Sequence, residues 1–419
     1  MKTPPWRYAL GTLGLILPSQ TFGTFFAYYY VDVLGLAVGA FALARTVYSL
    51  WDAVNDPIFG YLSDRTRTPW GRRRPWLIGG LPFLLLAFVL TFAVPEVFRG
   101  PALFWYCLLA LLFFETFSAL LWVNYMALFP ELFRTLAERA RANAFRQGFQ
   151  MVGLIVSLAF SPLLFDRIGF ALTALLYAGL GGILALVSFL GCREDPEAQK
   201  TPAVGFLEAF RYTLTNRAFW IFALANALLQ FVLGTLGAGI PFYVRYSLGL
   251  GPEAASLLFG ATFLLAVPLV TLWARWAVAW GSKRAWMAAI GVLALASLLL
   301  YLPHTLPQAL LAGAGVALGL SGVLVLGDVI IAGIIDRDAE ATGTRREGVY
   351  FSVNGFIGRL SGPLQGLTFA LLALLFGYVS GEHPGPRPDE AFRFFLSVPP
   401  FLAGALAFFL ARSFPEAHP

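Results

Sequence analysis

The sequence predicts an all-α membrane protein of twelve transmembrane helices in two related six-helix halves. Three observations predict it. Of 419 residues, 58% are hydrophobic and only 12% charged, where a soluble domain carries about 25% charged residues. Apolar stretches long enough for a spanning helix, about 20 residues, recur along the whole chain. A short basic motif recurs half a chain length apart.

The first set of stretches runs over 8–30, 39–62, 76–94, 102–128, 144–165 and 169–191. The second runs over 217–244, 254–274, 285–302, 307–333, 350–378 and 391–411. They are continuously apolar, unlike barrel strands, whose residues alternate between lipid and lumen. The first stretch exceeds the 7–15 residues of a signal-peptide core and lacks a small-residue cleavage site, so it is expected to stay as a helix. Between the sets, 192–216 is polar and of mixed charge. It is expected to be a cytoplasmic linker with a short surface helix at 205–214. The expected domains are therefore 1–191, 192–216 and 217–419.

Lys and Arg fix the expected orientation, because cytoplasmic loops collect them. With the N-terminus inside, 22 fall on the cytoplasmic side and 6 on the other, leaving Arg359 within a span. Both termini are expected to be cytoplasmic, in a plasma (inner) membrane. The same asymmetry accounts for the net charge of +6, so no nucleic-acid partner is expected. The bilayer and a small-molecule substrate are the expected partners, with the monomer as the working unit. The repeat is Gly71-Arg72-Arg73-Arg74-Pro75-Trp76 against Gly281-Ser282-Lys283-Arg284-Ala285-Trp286, 210 residues apart. Each copy follows the second helix of its half. Duplicated halves with a midplane site are a common transporter design.

Ionisable residues inside spans are costly and point to function. The densest cluster is Trp51-Asp52-Ala53-Val54-Asn55-Asp56-Pro57 in the second span. Asp52 and Asp56 are four apart and share a helix face. Two such carboxylates persist where a cation binds, a basic group pairs or one is protonated. Asn55 adds a neutral oxygen, and Pro57, lacking an N–H, frees the carbonyl of Ala53. Hard cations favour oxygen ligands of this kind. The plainer reading of Asp52 and Asp56 is helix gluing through buried ion pairs. Arg359 in the eleventh span, Glu115 in the fourth, Asp328 in the tenth, and Arg146 with Gln150 in the fifth are further candidates for a central site. Glu115 has an interfacial reading too, and Arg146 a topological one. Trp51 and Trp122 are the aromatic candidates for stacking on a substrate. Asp64, Arg72 and Arg345 lie in loops where ionic contacts between the halves would gate the cytoplasmic side. Cys107 and Cys192 lie in or beside spans, so neither a disulfide nor a metal centre is expected, apart from Na+ at the acidic cluster. No cofactor is expected. The coupling ion is Na+ or H+.

Several strings resemble one family of the major facilitator superfamily, the glycoside–pentoside–hexuronide:cation symporters, which include the melibiose permease. They are FAYYYVDVLGL (26–36), WDAVNDPIFGYLSDRTRTPWGRRRPWLIGG (51–80), ALFPEL (127–132), ERARANAFR (138–146) and TRREGVYFSVNGFIGR (344–359). The resemblance implies the major facilitator fold and cation-coupled symport of a small organic solute such as a sugar or glycoside. It implies that Asp52 and Asp56, helped by Asn55, bind the coupling cation. It also implies that Arg146 and Arg359 line the substrate site. The chain departs from the family where sugar hydroxyls are gripped: the two carboxylate positions fall near Ile16 and Trp122. Animal relatives within the resemblance move lysolipids with sodium, so a lipid or lysolipid symporter is the alternative. A non-transporting sensor would carry an appended signalling domain, and the tails are short. An intramembrane enzyme would show HExxH, GxSxG or a nucleotide motif, and a primary pump a phosphate-binding loop. None occurs, so the chain is not expected to be an enzyme.

Overall fold

The computed structural model describes residues 3–133, 135–194, 216–342, 347–381 and 384–415. The chain divides into two compact units, Met1–Ala203 with Ser380–Glu382, and Val204–Val379 with His383–Pro419. The surface helix expected at 205–214 lies outside the described residues.

In the first unit, α1 (Pro5–Ala27) runs on through a π-helical turn, Tyr28–Val33. Then come α2 (Val38–Arg65), α3 (Arg74–Phe92), α4 (Ala102–Leu132), α5 (Leu136–Ile155) and α6 (Ser161–Gly191). In the second unit, α7 (Arg217–Phe242) also runs on through a π-helical turn, Tyr243–Ser247. It is followed by α8 (Pro252–Trp280), α9 (Ser282–Leu299), α10 (Leu306–Thr342), α11 (Glu347–Gly358), α12 (Ser361–Phe376) and α13 (Pro388–Arg412). Helix starts carry the expected chemistry. Proline opens α1, α3, α6, α8 and α13, where its missing N–H costs nothing. At α5, Thr135 and Glu138 form a reciprocal capping box, each bond 3.2 Å.

The same packing pairs occur in both units. In the first, α1 packs on α5 and α6, α2 on α4, and α3 on α4 and α6. In the second, α7 packs on α11, α12 and α13, α8 on α10, and α9 on α10 and α13. The local repeats coincide with this pattern. Gly71 and Gly281 both have positive φ (112° and 84°) at the turn into the third helix of each unit. Gly35 and Gly249 (73° and 65°) do so after each π-helical turn, within Leu34-Gly35-Leu36 and Leu248-Gly249-Leu250. Tyr30 donates to the Thr91 carbonyl, and Tyr243 to that of Leu300, tying the first helix of each unit to the end of the third. Close approach is bought with small residues: a Cβ on Gly14 of α1 would lie 2.5 Å from the Gly181 carbonyl of α6.

Two expected spans differ in detail. The fifth passes without interruption through a π-helical turn, Val156–Phe160, into α6, and the break falls at Gly169 (φ 81°). The eleventh is two helices, parted at Arg359 and Leu360. Pro363 has no N–H for the Arg359 carbonyl, which accepts instead from Gly362 at 3.1 Å, so the helical ladder is interrupted there. Among the described residues, nine stretches are long and apolar enough to cross a membrane, the longest, Arg141–Gly191, covering two expected spans. α1 and α2 are not among them, because Gln20, Ser19 and the threonines of α1, and the charges of α2, lower their hydropathy. α1 is largely buried against α5 and α6, whereas α2 packs on α4 along one face and leaves Leu43, Leu50, Val54, Ile58 and Leu62 exposed on the other.

Candidate functional site

The acidic cluster sits on α2 where that helix meets α4. Trp51 Nε1 donates to Thr116 Oγ1 at 2.9 Å, and the Tyr48 hydroxyl donates to Glu115 Oε2 at 2.7 Å. Further along, Gly60 faces Val123. The two helices therefore run parallel in a fixed register. Tyr48, Trp51 and Asn55 follow the i, i+3, i+7 spacing of one helix stripe. Asp52 and Asn55 are both buried, Asn55 completely. Neither Nδ2 nor Oδ1 of Asn55 meets a hydrogen-bond partner among the described residues. An unsatisfied buried amide costs about 1–3 kcal/mol, so its retention beside a carboxylate fits a ligand that is supplied from outside the chain. The side chain of Asp56 lies outside the described residues. No group of three or more His, Cys, Asp or Glu is gathered for a metal ion among the described residues.

The other expected site residues fall into separate places. Trp122 on α4 donates its Nε1 to Ser19 Oγ on α1 at 3.2 Å. Ile16 lies against Gly153 of α5, so this position is part of the α1–α5 packing. Arg146 donates from Nε and Nη2 to Asn143 Oδ1 at 3.2 and 2.9 Å, contacts Met126 Sδ at 3.3 Å, and has its guanidinium 5.5 Å from the Phe129 ring centre. Gln150 follows one turn later on α5, half-buried. Arg359 occupies the break between α11 and α12. Nearby in that unit, Asn226 of α7 donates to Asn354 Oδ1 of α11 at 3.3 Å.

Of the expected gating residues, Arg345 and the side chain of Asp64 lie outside the described residues. Arg72 bonds to Glu131 of its own unit, at 3.2 Å from Nε and 2.5 Å from Nη2. Arg73 lies 3.8 Å from the same carboxylate and bonds to Ser63. Glu194, just beyond α6, accepts the backbone N–H groups of Arg72, Arg73 and Arg74 at 2.7, 2.9 and 2.7 Å. In return the Arg74 guanidinium reaches the carbonyls of Phe189 and Leu190 at the end of α6. A carboxylate thus caps the N-terminus of α3 and a guanidinium the C-terminus of α6, each matching the helix dipole. Burial pushes the Glu131 carboxyl above its ordinary range, against the pull of Arg72 and Arg73, with Glu194 adding to the rise. Burial also pushes the Cys192 thiol up to about 12, opposed by Ser188, Arg74 and Arg7. Cys107 and Cys192 are both buried and unbridged.

Sequence reasoning did not single out Ser19, Tyr48, Thr116, Glu131 or Glu194. Ser19 was detectable as a polar residue in an apolar stretch, and Glu131 lies within the ALFPEL string. Nothing in the sequence pairs Glu194 with Arg72.

The repeated six-helix pattern, the membrane-length apolar helices and the acidic second helix define a multi-pass membrane transporter of the major facilitator fold. The family model for MFS/sugar transport proteins matches residues 7–415, and the chain belongs to that family. It is 24% identical over 405 residues to the isoprimeverose transporter of Lactiplantibacillus pentosus, covering 90% of this chain and 82% of that one. It is 32% identical over 161 residues to an uncharacterized symporter of Synechocystis sp., a match spanning 37% of this chain and 30% of that protein. It is 23% identical over 321 residues to sodium-dependent lysophosphatidylcholine symporter 1 of Gallus gallus, covering 66% and 60%. In fold it is similar to the crystal structure of the nucleoside transporter NupG, with a TM-score of 0.71 and 13% identity over 99% of this chain and 98% of that one.

Proposed function

We propose that this chain is a secondary active transporter that couples Na+ or H+ to the movement of a small organic solute, a sugar or glycoside, by alternating access. The observation that carries the reading is the buried Asp52–Asn55 face of α2, whose amide has no hydrogen-bond partner among the described residues. Asp52, Asn55 and Asp56 hold the cation in this reading. Arg146, Gln150, Trp122 and Arg359 contact the solute, and no residue is assigned catalysis. Relatives named as a transporter of a sugar and as symporters support the class, and the sodium-dependent relatives support Na+ as the ion. The protein works in the plasma membrane with both termini cytoplasmic, by rocking residues 1–191 against 217–419. Asp64, Arg72 and Arg345 act in cytoplasmic closure.

A lipid-like substrate is the second reading. It is supported by the lysophosphatidylcholine symporters among the relatives, and by Ile16 and Trp122 standing where sugar-gripping carboxylates were expected. Uptake into proteoliposomes from a panel of sugars, glycosides and lysolipids, with and without a sodium gradient, separates the two. In the same assay Asp56→Asn should abolish accumulation against a gradient while exchange of solute survives. Undiminished, cation-dependent accumulation in Asp56→Asn would overturn the cation-site assignment.

A further inference from the structure

We infer that Glu115 is an outlying station for the coupling cation, one helical turn from the Asp52–Asn55 face along the α2–α4 seam. The inference rests on that reading of the cation site and extends it to α4. Glu115 is buried within an apolar helix, where a carboxylate is retained at a cost. Among the described residues it accepts one hydrogen bond, from the neutral Tyr48 hydroxyl at 2.7 Å, which falls short of the ionic or multiple partners that hold a buried charge. Arg45, one turn earlier on α2, engages the face of the Tyr48 ring, 4.9 Å from its centre.

The register places this carboxylate. Tyr48 meets Glu115 and Trp51 meets Thr116. Asp52 follows Tyr48 by four residues, about 6 Å along the helix. Asn55 continues the stripe by one more turn with a fully buried amide that has no partner among the described residues. Glu115, Asp52 and Asn55 thus succeed one another along one seam, beginning nearer the N-terminal end of α2. Acidic oxygens at such intervals attract a monovalent cation to the first and pass it to the next. The Trp51–Thr116 bond holds the spacing.

The test is calorimetric titration of sodium chloride into the purified full-length chain, with choline chloride keeping ionic strength constant. Glu115→Gln keeps the size of the side chain and an acceptor for Tyr48 but removes the charge. It should weaken sodium binding about tenfold, as expected for losing a carboxylate one turn away at intermediate dielectric, with an unchanged melting temperature in choline. Glu115→Asp should recover part of the loss, and Tyr48→Phe should give a smaller one. Sodium binding by Glu115→Gln as tight as in the unmodified protein would overturn the station. Asp52→Asn separates the two readings. If it alone abolishes binding, the α2 site stands without Glu115. If it binds sodium normally, the α2 site itself falls. Absence of sodium binding in the unmodified protein sinks both.

Discussion

Gly71→Ala should open the junction between α3 and α6, and Cys192 supplies the reporter. Gly71 has φ 112°, and a Cβ there would run into the Glu194 carboxylate. The backbone conformation alone costs an L-residue about 1–2 kcal/mol. Displacing Glu194 from the three N–H groups removes an N-terminal cap worth about 0.5–2 kcal/mol. Together these lower the local opening free energy by about 1.5–4 kcal/mol, and each 1.4 kcal/mol is a factor of ten. The open population should therefore rise about 10- to 700-fold. Cys192 lies two residues before Glu194 and is fully buried, with its thiol raised to about 12. At pH 8 only about one such thiol in 10⁴ is ionised, against about a quarter for a free cysteine. Labelling by a maleimide thus proceeds through the open state. In a Cys107→Ala background Cys192 is the sole thiol. There, Gly71→Ala should speed labelling by at least tenfold, and Glu194→Gln by a smaller factor. A labelling rate in Gly71→Ala equal to that of its parent would refute the clamp.

Three further outcomes are expected. The Glu131 carboxyl is raised in the folded protein, so its contribution favours folding at low pH and is lost as pH rises through the folded value. The melting-temperature difference of Glu131→Gln minus unmodified protein should therefore grow more positive between about pH 4 and pH 6; a pH-independent difference would contradict this. Arg359→Ala should alter the pH profile of cation binding, because a guanidinium within a span is retained for an acidic or anionic partner; an unchanged profile would place this arginine outside the coupling machinery. In a thermal-shift panel, an alkyl or aryl glycoside, a uronide or a lysolipid should stabilise the protein more than plain melibiose or lactose. Strong stabilisation by the plain disaccharides, undiminished in Trp122→Ala, would refute the reading of Ile16 and Trp122.

Much of the fold is legible in the sequence because hydropathy is a local sum. Each apolar stretch declares a helix without reference to its neighbours, and the Gly71 and Gly281 motifs mark equivalent turns in two halves. The acidic face of α2 is legible for the same reason: Asp52, Asn55 and Asp56 lie within one turn and a half of a single helix. The break at Arg359 was written in Pro363, but it was masked by continuous apolar composition on either side.

What only the tertiary structure decides is which side chains meet. Arg72 lies in a loop with several arginines, and nothing local says that its carboxylate is Glu131, 59 residues away. Glu194 meets the α3 N-terminus across 120–122 residues because α3 packs on α6. Asn55 is recognisable in sequence as polar, but its complete burial, with no partner among the described residues, follows from the rotation and register of α2 against α4. The same register hands Glu115 to Tyr48. Composition determines that a helix enters the membrane; the angle at which it faces its neighbour is set by packing, and that angle decides which polar groups are satisfied and which are left for a ligand.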